Sequence, residues 1–181
     1  MAVAELTFRL ALPSDAEAVA ALHADSWRRH YRGAYADAFL DGDVEGDRLA
    51  VWSARLMETR GASQTILAED GDGLVGFAHT MFEHDPGWGA LIDNLHVVHD
   101  AKRRRIGSRL MALAAQPVLD RGTGLYLWVL EQNADARAFY EARGGTCGER
   151  APVPPPGGMA SRLSGTPLGL RYAWSDPAVL L

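Results

Sequence analysis

Residues 102 to 111, KRRRIGSRLM, set four consecutive cations, Lys102, Arg103, Arg104 and Arg105, directly before the apolar periodicity of a helix. A helix start leaves its first backbone N–H groups without intrahelical partners, and the aligned peptide dipoles place partial positive charge there. A strand, a short turn and such a helix therefore make a ready anion site, suited to a phosphate. The cationic side chains add mobile charge, and Gly107, between Ile106 and Ser108, lacks a Cβ where an anionic group would approach the backbone. The run is neither a G-x-x-x-x-G-K-[ST] phosphate loop nor a G-x-G-x-x-G dinucleotide turn. Spacing alone leaves a solvated basic turn as the equal alternative.

The flanking sequence supplies elements that could position this turn. "ELTFRLAL" alternates as a strand up to Pro13, after which Ser14 and Glu17 have capping-box spacing for a helix running to about Arg29. An irregular acidic stretch leads to a second helix, "RLAVWSARLMET". "QTILAED" and "GLVGFAHTMFE" read as a hairpin turning on Gly71, Asp72 and Gly73, followed by the apolar strand "ALIDNLHVV". A helix over about residues 106–120 follows the basic run and contains Pro117, which is expected to kink it or interrupt its hydrogen bonding. Next come a buried strand "GLYLWVLE", a helix capped by Asn133 and ended by Gly144 and Gly145, and two strands. Those two strands are separated by "APVPPPGGMASRLSGTP", expected as an extended surface loop. The order is one strand, two helices, three strands, helix, strand, helix, two strands: one mixed α/β domain over residues 1–181.

Bulk composition narrows the function. With 181 residues, 48% hydrophobic, the chain can build a substantial core. A net charge of −5 disfavours a general nucleic-acid binder, so the basic run is local. A lone Cys147 excludes an internal disulfide and a cysteine-based zinc site, and the six histidines form no H-x-x-x-H pair, so no metal is expected. No apolar run spans a membrane and the first residues lack a secretory layout, so a cytoplasmic protein is expected.

"DNLHVVHDAKRRRIGSRLM" followed by "LYLWVLEQNADARAFYEARGG" resembles the GNAT superfamily of N-acetyltransferases. There, an R/Q-x-x-G-x-G/A turn after a strand holds the pyrophosphate of acetyl-CoA, and a second strand ends in Asn before a helix carrying Phe-Tyr. Here Lys102 takes the Arg/Gln position, Arg105 replaces the first Gly and Gly107 keeps the last, while His99 stands where Pro is frequent. If Arg105 is helical, its N–H still serves the anion. "ALHADSWRRHYRG" is similar to the family's first-helix region, so the resemblance covers nearly the whole chain. It implies a mostly antiparallel sheet of about seven strands flanked by helices on both faces, with acetyl-CoA as cofactor.

The same resemblance assigns roles. Leu95, His96 and Val97, the turn residues 102 to 108, and Asn133, Ala136, Phe139 and Tyr140 form the expected cofactor surface. Tyr140 aligns with the acid that protonates the departing thiolate, and a phenol with pKa ~10 retains that proton at neutral pH. Core packing is its alternative, although Phe139 reads as the stronger core residue. Many members carry a Glu as general base where Leu91 stands. Asp93, two residues on, shares that face by strand alternation, and its apolar neighbours would raise its pKa. It is therefore the expected proton acceptor, with a structural Asp as the alternative. His79 on the preceding strand, and His96 on the opposite face of this one, are weaker candidates, since a lone histidine on a strand is more often hydrogen-bonded structure.

Trp27, Tyr31, Tyr35 and His79 are candidate acceptor-site residues, the aromatic set being equally readable as packing. The acids Asp37, Asp41, Asp43, Glu45 and Asp47 read as a solvated loop able to draw in a cationic amine. The expected reaction is direct acetyl transfer to a primary amine, on a small cationic molecule or a peptide N-terminus, without a covalent enzyme adduct. A non-catalytic acyl-CoA sensor is the alternative. The Pro/Gly-rich segment could cover the pocket or pair subunits, so a homodimer is possible; no nucleic-acid or membrane partner is expected.

Overall fold

The computed structural model describes residues 5–58, 60–101 and 104–181. Strand β1 (Thr7–Leu10) precedes helix α1 (Ala16–His30), the short helix α2 (Asp37–Leu40) and helix α3 (Val44–Leu56). Strands β2 (Ser63–Asp70), β3 (Gly73–Asp85) and β4 (Gly89–Val97) follow, then helix α4 (Ile106–Asp120) and strand β5 (Leu125–Leu130). Helix α5 (Ala134–Glu141) and strands β6 (Thr146–Pro152) and β7 (Leu168–Trp174) close the chain. The seven strands form one sheet in the order β1-β2-β3-β4-β5-β7-β6. The β4–β5 pairing is parallel and all others are antiparallel. Among the described residues, no helix is long and apolar enough to cross a membrane.

Each helix buries one stripe. Val19, Ala20, Leu22 and His23 of α1 meet Trp52 of α3 and Leu67 and Phe77 of the sheet. On the other face, Met111, Ala114, Ala115 and Val118 of α4 pack on Ala90, Ile92 and Leu127. Helix α4 runs through Pro117 to Asp120, because the proline falls in the last turn and removes only one ladder donor.

Local chemistry shifts several boundaries. Helix α1 begins at Ala16, and Ser14 does not cap it; Asp15 instead accepts from the Leu12 N–H at 2.7 Å and pairs with Arg9. Helix α3 starts four residues earlier than its apolar pattern suggested, since Asp43 caps it by accepting from the Gly46 N–H at 3.0 Å. The segment 151–167 lies at the surface, as expected, but is folded rather than extended. It makes two 3-10 turns and returns to the start of α2, where Ala36 N–H donates to Arg162 O and Ser164 N–H to Ala34 O, both at 2.9 Å.

Strands β4 and β5 pair only at Ala90↔Leu125 and Leu91↔Tyr126. The closed end of this pair is tight. Gly89 has φ +87°, and a Cβ there would lie 2.2 Å from Gly124 O, while Ala90 N–H donates to that same oxygen at 2.9 Å. Beyond Leu91, β4 carries a bulge: Ile92 pairs with Thr80 and Asn94 with His79, leaving Asp93 as the extra residue. A bulge bends a strand and strengthens its twist, and β4 leaves β5 at this point. Gly89→Val combines a left-handed φ with a backbone clash and is expected to destabilise by about 1–3 kcal/mol. A urea midpoint equal to that of the unsubstituted protein would show that this end is not a clamp.

Candidate active site

Where β4 and β5 part, a cavity of about 520 Å³ opens. One wall is β4 from Ile92 to Val97, and the facing wall is Leu127, Trp128 and Val129 of β5. The start of α4 lines it with Arg105, Ile106, Gly107 and Ser108. Helix α5 contributes Asn133, Asp135, Ala136, Phe139 and Tyr140, and Arg143 follows it. Helix α1 and the residue after it add Ser26, His30 and Tyr31.

The α4 start has an unusual backbone. Arg105 is its N-cap at φ 61°, ψ 14°, a left-handed conformation costing an L-residue roughly 1–2 kcal/mol, and no side chain among the described residues caps the first turn. By contrast, α5 is capped as expected, with Asn133 Oδ1 accepting from Ala136 N–H at 3.2 Å. Gly107 also gives the Phe139 ring room: an added Cβ would sit 3.2 Å from Phe139 Cζ. The Arg143 guanidinium lies 4.1 Å over the Phe139 ring and donates to Ser108 Oγ. A cation therefore reaches the α4 start from a different helix.

Residues 17–145 match the Acetyltransferase (GNAT) family. The chain belongs to the GNAT acetyltransferase family. It is 32% identical over 148 residues to a "probable N-acetyltransferase" of Mycobacterium tuberculosis, covering 79% of this chain and 81% of that protein. Its fold is similar to the PaiA N-acetyltransferase of Thermoplasma acidophilum solved with coenzyme A (TM-score 0.72, 16% identity, 94% of this chain and 99% of that one). It is also similar to a GCN5-related N-acetyltransferase from Rhodopseudomonas palustris (TM-score 0.70, 23% identity, 97% and 98%).

The positions expected from the GNAT resemblance divide unequally. Leu95, His96, Val97, Arg105, Ile106, Gly107, Ser108, Asn133, Ala136, Phe139 and Tyr140 all line the cavity. Lys102 and Arg103 lie outside the described residues. Arg104 does not line the cavity; its Nη1 donates to Asp70 at 2.6 Å in the β2–β3 turn. Arg105 is left-handed rather than helical, so its amide is presented by a strained turn. The packing roles of the neighbouring aromatics are exchanged: Tyr140 is buried against Tyr172 and Trp174, whereas Phe139 is only partly buried. Burial pushes the Tyr140 phenol well above its ordinary value.

Asp93 lines the cavity, but its expected apolar setting is absent. It is exposed, and Arg55 Nη1 holds its Oδ2 at 2.7 Å while donating to Asn94 Oδ1 at 2.9 Å. The bulge also resets the strand parity. Asp93 and Asn94 both meet α3, and His96 meets α1 on the same side of the sheet instead of the opposite one.

Of the expected acceptor residues only Tyr31 reaches the cavity. Burial first, then Asp93, pushes its phenol up to about 12. Trp27 is buried beneath the Arg48 guanidinium, Tyr35 packs edge-on against it at 5.0 Å, and His79 is buried with Nδ1 2.8 Å from Thr65 Oγ1. The acids between residues 37 and 47 are largely committed. Arg32 takes Asp37 and Asp41, Asp43 caps α3, and Arg48 and Arg162 take Asp47. Their attraction for a cationic amine is correspondingly neutralised.

Sequence reasoning missed Ser26, His30, Asn94, Trp128, Asp135 and Arg143. Helical spacing held part of the signal, since Ser26 and His30 are four apart on one face and Arg143 is four after Phe139.

Burial also lowers His79 and His96 to about 4 and His23 well below its ordinary value. The unfolded chain protonates such rings near pH 6.5, whereas His79 and His96 in the folded chain resist until about pH 4. Stability is therefore full above pH 6.5 and falls toward pH 4 by up to about 3 kcal/mol per ring. Urea midpoints measured from pH 7.5 to 4.5 should fall steadily, and His79→Gln should flatten the slope. Midpoints independent of pH would mean that these rings titrate in the folded chain as they do in the unfolded one.

Proposed function

We propose that this chain is an acetyl-CoA-dependent N-acetyltransferase, acting as one domain, that moves an acetyl group directly to a primary amine on a small molecule or a peptide N-terminus. The observation that carries this reading is the cavity between the parted β4 and β5, lined by both the uncapped α4 start and Tyr140.

The residues fit the group. The first-turn amides of α4, with the Arg105 and Arg143 guanidiniums, suit a diphosphate. Beyond Leu91 and Tyr126 the two strands no longer pair with each other, so their backbone groups can bond an extended arm bearing amides. Bound acetyl-CoA supplies an activated thioester. The raised Tyr140 phenol keeps its proton throughout the neutral range and can give it to a departing sulfur. The left-handed Arg105 turn presents the first amides of α4 at the cavity wall.

Tyr140→Phe should lower kcat by about 10²–10⁴-fold with acetyl-CoA affinity nearly unchanged. Full turnover would return Tyr140 to a packing role. At the turn, Arg105→Gly preserves the left-handed backbone and removes the charge, whereas Arg105→Val opposes that backbone. Calorimetry should therefore show a smaller loss of acetyl-CoA affinity for the Gly variant than for the Val variant. Equal losses in the two variants would assign binding to the guanidinium alone.

Leu91, buried where many GNAT members carry a Glu, favours a second reading as an acyl-CoA sensor without turnover. Thiol release from acetyl-CoA over a panel of amines separates the two.

A further inference from the structure

We propose that Ser26 and His96 form the proton-accepting pair of this acetyl transfer, with Ser26 Oγ meeting the amine N–H and His96 Nδ1 taking the serine's own proton. The proposal rests on the acetyltransferase reading above; it adds Ser26, which the sequence did not single out, and gives it a defined partner in His96, one of the candidate acceptors.

Other acceptors are compromised. Leu91 has no proton-accepting atom, and the Asp93 carboxylate is engaged by Arg55 at 2.7 Å. Ser26 and His96, by contrast, both line the cavity, and Ser26 Oγ lies 2.7 Å from His96 Nδ1. Serine comes from α1 and histidine from β4 beyond the bulge, so the pair exists because the bulge turns His96 toward α1.

The ring is fixed from behind. Phe77 packs at 5.3 Å and His23 at 4.6 Å between ring centroids. Trp52 Nε1–H donates to His23 Nδ1 at 3.0 Å, so His23 is neutral with its proton on Nε2, a buried atom with no hydrogen-bond partner among the described residues. His23 thus backs His96 without competing for its proton. The charged or titratable groups acting on His96 are His30 of α1 and Asp93 of β4, while Arg48 and Arg55 of α3 act on His23 behind it. Burial keeps the His96 ring neutral down to about pH 4, which leaves its lone pair available through the neutral range.

The transfer balances. As the neutral amine nitrogen bonds to the acyl carbon, its N–H proton passes to Ser26 Oγ and the serine proton passes to His96 Nδ1. The C–S bond breaks with its electron pair on sulfur, which takes the Tyr140 proton. Solvent then accepts the proton from His96 and restores that of Tyr140. A nitrogen acquiring an acyl bond is a much stronger acid than a free ammonium, so a weak base suffices at that moment. It would not suffice to deprotonate the incoming ammonium, and the rate should therefore rise with pH along the amine's own ionisation.

The test uses Ser26→Ala, His96→Asn and the double variant of the full chain. Each single change is expected to lower kcat by about 10²-fold or more, with acetyl-CoA affinity and amine KM within threefold. The double variant should be no worse than the poorer single one, as for residues acting as a unit. Mixed H2O/D2O should give a bowed dependence of kcat, reporting two protons in flight, that becomes linear in Ser26→Ala. Should His96→Asn fail to fold, Ser26→Ala alone carries the test. Normal kcat in Ser26→Ala, while Tyr140→Phe is impaired, overturns the pair and leaves the acetyltransferase reading intact. Loss of turnover in Asp93→Asn but not in Ser26→Ala also overturns it, in favour of the carboxylate. An unsubstituted protein that releases no thiol with any amine overturns the acetyltransferase reading itself.

Discussion

The parting of β4 from β5 is the constraint on which the rest of the site depends. Two parallel strands that continued side by side would satisfy each other's backbone groups and leave no cavity. Here the pair is clamped at one end, where Gly89 lies against Gly124 with no room for a Cβ, and is released after two residue pairs. The bulge at Asp93 bends β4 at the point of release. Everything assigned to chemistry lies around the resulting gap, and the two cores that clasp the sheet from either face keep it from closing.

Strain and packing then shape the α4 end. A left-handed arginine is an unfavourable way to begin a helix, and it persists because α4 is anchored by Ile106, Leu110 and Met111, all buried. Gly107 lets Phe139 approach the same turn, and Phe139 in turn supports Arg143. The positive character of the site is thus assembled from both helices rather than from the continuous basic run alone.

The opposite side of the site is built on neutrality. His23, His79 and His96 are buried near Trp52 and Phe77, where the desolvation of a charged imidazolium outweighs any gain from Asp93. The acidic stretch before α3 is neutralised separately, through Arg32, Arg48 and Arg162. Arg162 reaches Asp47 because the Pro/Gly-rich segment folds back over α2. A stretch that reads as a negatively charged loop therefore becomes structural.

The sequence by itself determined the order of the main elements, the boundaries of α4 and the Asn133 cap. These depend on local periodicity and capping chemistry, both carried by residues close together in the chain. Tertiary structure decided the rest. Strand alternation predicts which way Asp93 and His96 point only while the strand is regular, and one bulged residue reset that parity. The partners of Asp93 and of Asp47 are arginines up to 115 residues away, which no local pattern reveals. Ser26 met His96 across 70 residues of chain because α1 packs on β4, a contact set by burial rather than by spacing.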